Sequence, residues 1–277
     1  MAVGKGVSMS QTVLITGSST GIGRETASLF QARGWNVIAT MRTPESESEL
    51  DKLDNVRVLR LDVTDEASIR DAVAEGVRAF GAIDVLINNA GFGAYGPLEA
   101  TSLETIRWQF DTNVVGLLAV TRAVLPHMRG RGRGTIVNIS SMGGRVAFPL
   151  GSLYHGSKFA VEGLTEALSY ELGAIGVRVK LVEPGMTKSD FGSRSLVFSS
   201  DESMPEYAAL VKGTVEAFAT LQAAETSDVA ETIFTAATDG QDRLRYPSGH
   251  DARMFIDMRR QQDDETFARS LKRMFNM

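Results

Sequence analysis

The stretch Thr16-Gly17-Ser18-Ser19-Thr20-Gly21-Ile22-Gly23 constrains this chain more than any other. It follows Thr12–Thr16, a β-branched run that reads as a buried strand. It precedes Ile22–Arg33, an amphipathic segment that reads as a helix stopped by Gly34. Glycines let the backbone turn sharply and approach a ligand closely, and the start of a helix offers free N–H groups to a phosphate. An ordinary glycine-rich turn is the bland alternative. Its place after the first strand and before a helix favours dinucleotide binding instead.

The rest of the chain repeats the alternation. Asn36–Thr40, Val56–Leu61, Ile83–Ile87, Thr135–Ile139 and Val177–Val182 read as strands, with a short one near Leu244–Tyr246. Helices are expected over Asp65–Phe80, Leu103–Met128, Leu153–Ile175, Pro205–Leu221 and Asp228–Thr238, with a last helical segment at the end. Thr101 and Glu104 are expected to form a capping box. Such alternation predicts an α/β fold: a doubly wound parallel sheet of about seven strands with helices on both faces. No internal repeat or low-complexity linker interrupts it, so one domain is expected from residue 12 to 277 after a flexible tail over residues 1–11.

Composition narrows the chemistry. The 277 residues carry a net charge of −5, which argues against a nucleic-acid surface, since phosphate binding needs a basic patch. Arg129-Gly130-Arg131-Gly132-Arg133-Gly134 is therefore read as a solvated loop rather than an RNA-binding tract. There are no cysteines, hence no disulfides and no thiolate chemistry. The apolar runs are strand-sized, so no membrane span is expected, and Met1 to Gln11 lacks a signal-peptide core; a cytoplasmic location follows. The three histidines lack metal-ligand spacing, so no metal is expected. His127 is read as a cation at a helix end and His250 as a turn residue.

Tyr154-His155-Gly156-Ser157-Lys158 places a phenol and an ammonium one helical turn apart, on one face. A free tyrosine titrates near 10, and a nearby cation favours the phenolate. Such a tyrosine can serve as general acid or base. The bare pattern is common by chance; joined to the glycine turn and to Ser141 upstream, it is not.

Together these pieces resemble the single-domain short-chain dehydrogenases/reductases, from Thr12 to about Arg260. Asn88-Asn89-Ala90-Gly91 after the fourth strand matches the family's N-N-A-G, and Pro184-Gly185 matches its turn around the nicotinamide. The resemblance implies that Tyr154 is the general acid/base. It implies that Lys158 lowers the phenol's pKa and holds the nicotinamide ribose, and that Ser141 orients the substrate oxygen. Asn113 supports a water path to Lys158. Ser140 competes with Ser141, but the family's interval of thirteen residues from serine to tyrosine lands on Ser141. Cofactor contacts are expected from Gly17, Ser19, Thr20, Gly21, Ile22, Gly23, Asp62, Val63, Asn89, Ala90, Gly91, Pro184 and Gly185, besides Tyr154 and Lys158. Where the family often has a threonine to grip the carboxamide, this chain offers Ser189, with Thr187 two residues before it. His155 follows the tyrosine where a small residue is common, and a supporting or steric role is expected for it.

The second strand ends Ala39-Thr40-Met41-Arg42, without the acidic residue that would bind a ribose 2′-hydroxyl. Arg42 resembles the arginine of NADP-preferring members, so NADP is the expected cofactor, with NAD the alternative. The substrate wall is expected in a lid near residues 186–222, with Phe191, Leu196, Val197, Phe198 and Met204 supplying apolar surface. Arg245–Ala252 resembles the end region of hydroxysteroid- and retinol-dehydrogenase-like members, which implies a bulky apolar ketone or secondary alcohol. The resemblance further implies a homodimer or homotetramer built through the two long helices. The C-terminal extension near residues 251–277 is expected to pack on a neighbour or close over the substrate. A non-catalytic dinucleotide sensor on the same fold is the competing reading. The intact Ser141, Tyr154 and Lys158 favour the enzyme.

Overall fold

The computed structural model describes residues 10–189 and 191–275, with the backbone alone at Phe191 and Ser193. Seven strands form the central sheet: β1 (Thr12–Thr16), β2 (Asn36–Met41), β3 (Val56–Arg60), β4 (Val85–Asn88), β5 (Gly134–Ile139), β6 (Val177–Pro184) and β7 (Arg245–Ser248). Their order is β7-β6-β5-β4-β1-β2-β3, and every neighbouring pair is parallel. All residues of β1 and β4 are buried, as expected of strands covered on both faces.

Helices Gly21–Ala32 and Thr226–Thr238 cover one face, where Phe30, Ala27, Val229 and Ile233 join the strand side chains. Helices Glu66–Phe80, Leu117–Arg131 and Ser152–Gly173 cover the other through Ile69, Val73, Val120, Val124, Met128 and Leu172. Fully burying an apolar side chain of this size contributes about 1.5–3 kcal/mol, so these two layers hold the sheet. The chain order reverses between β1 and β4. In open α/β sheets such a reversal leaves a crevice at the carboxyl ends of the strands, and it positions the site.

Some elements differ from expectation. The helix expected over Leu103–Met128 is three pieces: Leu103–Phe110, a wide π turn over Asp111–Gly116, and Leu117–Arg131. Its cap is Ser102, whose Oγ accepts from the Thr105 amide at 3.1 Å; the Thr101 hydroxyl donates to the Pro97 carbonyl instead. His127 lies inside the last helix, and its Nε2 accepts from the Ile83 amide at 3.2 Å. Burial lowers its pKa, so it is no cation at a helix end. Arg129 and Arg131 of the basic run belong to the same helix, and Arg131 pairs with Asp84 at 2.6 Å. His250 opens a helix, His250–Gln261, and a second one, Asp264–Met274, follows. Of the expected N-terminal tail, residues 1–9 lie outside the described residues; the Gln11 carbonyl accepts from the Asn36 amide at 2.9 Å.

A third apolar cluster stands apart from the sheet. Phe267, Leu271 and Phe275 of the C-terminal end pack on Phe148, Ala217 and Phe255. The C-terminal helix is thereby fastened to helix Ala208–Ala219 and to the segment that follows β5.

Candidate active site

The turn after β1 is shaped by close packing. A Cβ on Gly23 would lie 2.2 Å from the Gly17 carbonyl oxygen and 2.4 Å from Asn89 Nδ2, so helix Gly21–Ala32 can start this close to β1 only with glycine there. Asn89 braces the turn, donating through Nδ2 to the Thr16 and Gly17 carbonyls at 2.9 and 3.0 Å. The helix has no side-chain cap from Thr20 and no acidic residue in its first turn. Its first N–H groups and positive dipole end thus face the crevice without a competing carboxylate.

A cavity of about 720 Å³ runs from this turn across the carboxyl ends of the strands. Gly17, Ser19, Thr20, Gly21, Ile22, Gly23, Arg42, Asp62, Val63, Asn89, Ala90, Gly91, Pro184, Gly185, Thr187 and Ser189 all line it. Ser141, Tyr154 and Lys158 line it too. Arg42 is exposed at the end of β2 and has no ion pair among the described residues. Asp62 holds its own turn, accepting from the Thr64 amide and hydroxyl at 2.9 and 2.7 Å. The Thr187 hydroxyl donates to the Gly185 carbonyl at 3.1 Å, and Ser189 approaches Gly21.

Asn113 is the one expected site residue outside the cavity lining. It lies in the π turn, buried, with Nδ2 donating to the Phe92 carbonyl and to Ser157 Oγ at 2.9 and 3.2 Å, and Oδ1 accepting from the Phe92 amide at 3.0 Å. It ties the segment after β4 to the helix that carries Tyr154.

The reacting end of the cavity is built by β5 and helix Ser152–Gly173. Ser141 Oγ accepts from the Gly143 amide at 3.0 Å, faces the Pro184 carbonyl at 3.5 Å, and hydrogen-bonds the Tyr154 hydroxyl. Lys158 Nζ donates to the Ile139 carbonyl at 2.8 Å and stands 5.8 Å from the centre of the Tyr154 ring. Burial raises the Tyr154 phenol above its ordinary value, against the lowering effect of the Ser141 hydrogen bond. The lowering expected from Lys158 is therefore not what dominates here. The lysine is itself buried, which brings it down to about 8, with Glu162 one turn on opposing that shift.

Several contributors carry no sequence signal of their own. Tyr95, Trp108, Phe148, Met186 and Phe218 join Leu196, Val197 and Phe198 in an apolar wall of the cavity. Met204, expected in that wall, lines a separate surface pocket instead, and the side chain of Phe191 lies outside the described residues. Tyr95 stacks at 5.4 Å from Tyr154 on a short strand, Gly93–Tyr95, that pairs with Leu196–Phe198. Asp251 accepts from the Met186 amide at 2.6 Å and fills the space a Cβ on Gly185 would need, 2.0 Å from its Oδ1. Behind Lys158, Glu162 and Glu183 are buried with Arg245 and Arg145 at 2.8 and 3.1 Å. Burial pushes the Glu183 carboxyl up to about 7. Among the described residues no three His, Asp or Glu side chains converge as a metal site, and no helix is long and apolar enough to cross a membrane.

A family model described as short chain dehydrogenase matches residues 11–196. An uncharacterised oxidoreductase of Schizosaccharomyces pombe is 42% identical over 229 residues, 82% of this chain and 96% of the relative. A 3-ketodihydrosphingosine reductase of Bacteroides thetaiotaomicron is 42% identical over 181 residues, 65% of each chain. The structure of ElxO with NADP bound superposes with a TM-score of 0.72 at 29% identity, covering 86% of this chain and 98% of that one.

Proposed function

The chain belongs to the short-chain dehydrogenase/reductase family of oxidoreductases, and on that premise we propose that it interconverts a bulky apolar ketone or aldehyde and the matching alcohol, using NADP(H). The observation that carries this reading is the convergence of Ser141, Tyr154 and Lys158 on one cavity that joins a phosphate-type turn to an apolar wall.

The residues fit a nicotinamide dinucleotide. The bare helix start at Gly21 suits the pyrophosphate, and the tight Gly17–Gly23 contact keeps that cradle open. Asp62 and Val63 would flank the adenine, and Pro184, Gly185, Thr187 and Ser189 the nicotinamide. The bound cofactor supplies or accepts the hydride. Tyr154, kept protonated by burial, is suited to give its proton to a carbonyl oxygen. Ser141, whose Oγ is held by the Gly143 amide, holds that oxygen beside it. Lys158 holds the ribose and, through its charge, stabilises the phenolate left behind. Asn113 connects this end to the protein's interior and supports the path by which the proton is replaced.

Arg42 supports NADP over NAD: an unpaired guanidinium suits a 2′-phosphate, and ElxO, a 29% identical neighbour, holds NADP. The apolar wall supports a bulky apolar substrate, and the Bacteroides relative is named for reduction of 3-ketodihydrosphingosine. Segment 186–222 serves as the lid, which the C-terminal helices steady. Exposed apolar residues on helices Leu103–Phe110 and Ser152–Gly173 support a homo-oligomer joined through that face.

The test is absorbance of NADPH and NADH over a panel of ketones, aldehydes and secondary alcohols, with wild type and Arg42→Ala. Turnover of apolar carbonyls with a preference for NADPH is expected. Arg42→Ala should lose about tenfold or more in NADPH affinity and little for NADH, since a charged hydrogen bond contributes about 1.5–3 kcal/mol. Absence of turnover with either cofactor, in both directions, would remove the proposal.

A further inference from the structure

We propose that His155 is a positioning residue that sets the hydroxyl of Ser141 through the main chain of Gly143. The inference rests on reading Ser141 and Tyr154 as the reacting pair.

Gly143 is held at both ends. Its amide donates to Ser141 Oγ at 3.0 Å, and its carbonyl faces His155 Nδ1 at 3.1 Å. A carbonyl can only accept, so Nδ1 carries the proton and the imidazole is fixed in one tautomer. Burial drives His155 down to about 4, which keeps the ring neutral at ordinary pH. The ring cannot swing out of this role. A Cβ on Gly143 would lie 2.5 Å from Nδ1, and one on Gly151 would lie 2.4 Å from Nε2. The rings of Tyr95, Phe148 and Tyr154 pack against it at 5.9, 5.5 and 5.5 Å.

The arrangement leaves Nε2 buried with no hydrogen-bond partner among the described residues. An orphaned buried acceptor costs about 1–3 kcal/mol, so an ordinary packing role is better filled by an apolar ring. What the imidazole adds over such a ring is the Nδ1 proton on Gly143. That bond anchors the residue, Gly143, whose amide on the preceding peptide occupies one lone pair of Ser141 Oγ. The serine proton is then left for Tyr154, the Pro184 carbonyl or a substrate oxygen. His155 thus acts on the reaction through Gly143, the residue that links it to the Ser141 hydroxyl.

The test is a cycle on the full-length protein: His155→Phe, which keeps a ring without the donor, made with Ser141 present and in Ser141→Ala. The first readout is the [ζ-13C]tyrosine NMR signal of Tyr154, identified by its loss in Tyr154→Phe. It needs no substrate. His155→Phe should move that signal more when Ser141 is present than when it is alanine, because direct ring effects are common to both. The second readout is NADPH-linked reduction of an apolar ketone. His155→Phe should lower kcat about tenfold, the size of one weakened hydrogen bond in the transition state, without raising the KM for NADPH. His155→Asn, whose amide can replace the Nδ1 donor, should recover most of the loss, and Ser141→Ala should abolish the effect. An NMR shift equal in both backgrounds, or no shift at all, overturns the inference. Should no carbonyl be turned over, the proposed function fails, while the Tyr154 signal still decides the role of His155.

Discussion

Burial acts on three neighbouring side chains at the reacting end: it raises the Tyr154 phenol, lowers Lys158 to about 8 and lowers His155 to about 4. For His155 this has a measurable consequence. The unfolded chain binds its proton near 6.5 and the folded chain only near 4, so the stability held above pH 6.5 is lost as pH falls through that window. The loss amounts to about 2 kcal/mol by pH 5. Urea unfolding at pH 7 and pH 5 should show the gap between wild type and His155→Asn change by about that amount; an unchanged gap would mean the imidazole is not held neutral. At this scale the sequence shows which groups meet but not how they titrate. The Y-x-x-x-K spacing puts Tyr154 and Lys158 on one helix face, whereas the Ile139 carbonyl that receives the ammonium comes from another strand. Asp251 illustrates the same limit: it lies far along the chain from Gly185, and nothing local marks it as the residue that shapes that turn.

Among the elements, the strands and the glycine turn were legible because their signals are local: β-branched runs, and glycines between a strand and a helix. The π turn at Asp111–Gly116 was not, because it depends on Asn113 reaching the Phe92 main chain across the fold. The short pairing of Gly93–Tyr95 with Leu196–Phe198 was hidden for the same reason, and with it the place of Tyr95 over Tyr154. The turn after β1 gives the sharpest element-level prediction. Gly23→Ala forces a methyl group onto the Gly17 carbonyl, which is backbone and cannot turn aside. Overpacking of this kind costs about 1–3 kcal/mol, so NADPH affinity, read by fluorescence titration, should fall about tenfold or more with the fold retained. An alanine variant that binds NADPH normally would show that the turn does not shape the cofactor site.

At the scale of the whole molecule, the order of the sheet brings the glycine turn, the Asn89 segment, Ser141 and Pro184-Gly185 to one edge. Alternation in the sequence was enough to foresee that sheet. The role of the C-terminal end was not, since its pair of helices is fixed by Phe148, Phe255 and Phe275 meeting from distant segments. A second surface follows from what the fold leaves uncovered. Leu103, Val115, Phe159 and Tyr170 remain exposed by 68, 56, 46 and 76%. They lie on the helices expected to join subunits, where exposed apolar side chains are the expected contacts. Light scattering should find an oligomer that Phe159→Glu with Tyr170→Glu dissociates; a monomeric wild type, or a variant that stays assembled, would place the interface elsewhere. Proton transfer by Tyr154 beside a bound nicotinamide stands or falls with Tyr154→Phe. In that variant kcat for NADPH-linked carbonyl reduction should fall at least about 100-fold, the contribution of a positioned general acid, while the Kd for NADPH stays at the wild-type value. Turnover preserved in that variant, or lost only together with NADPH binding, would contradict it.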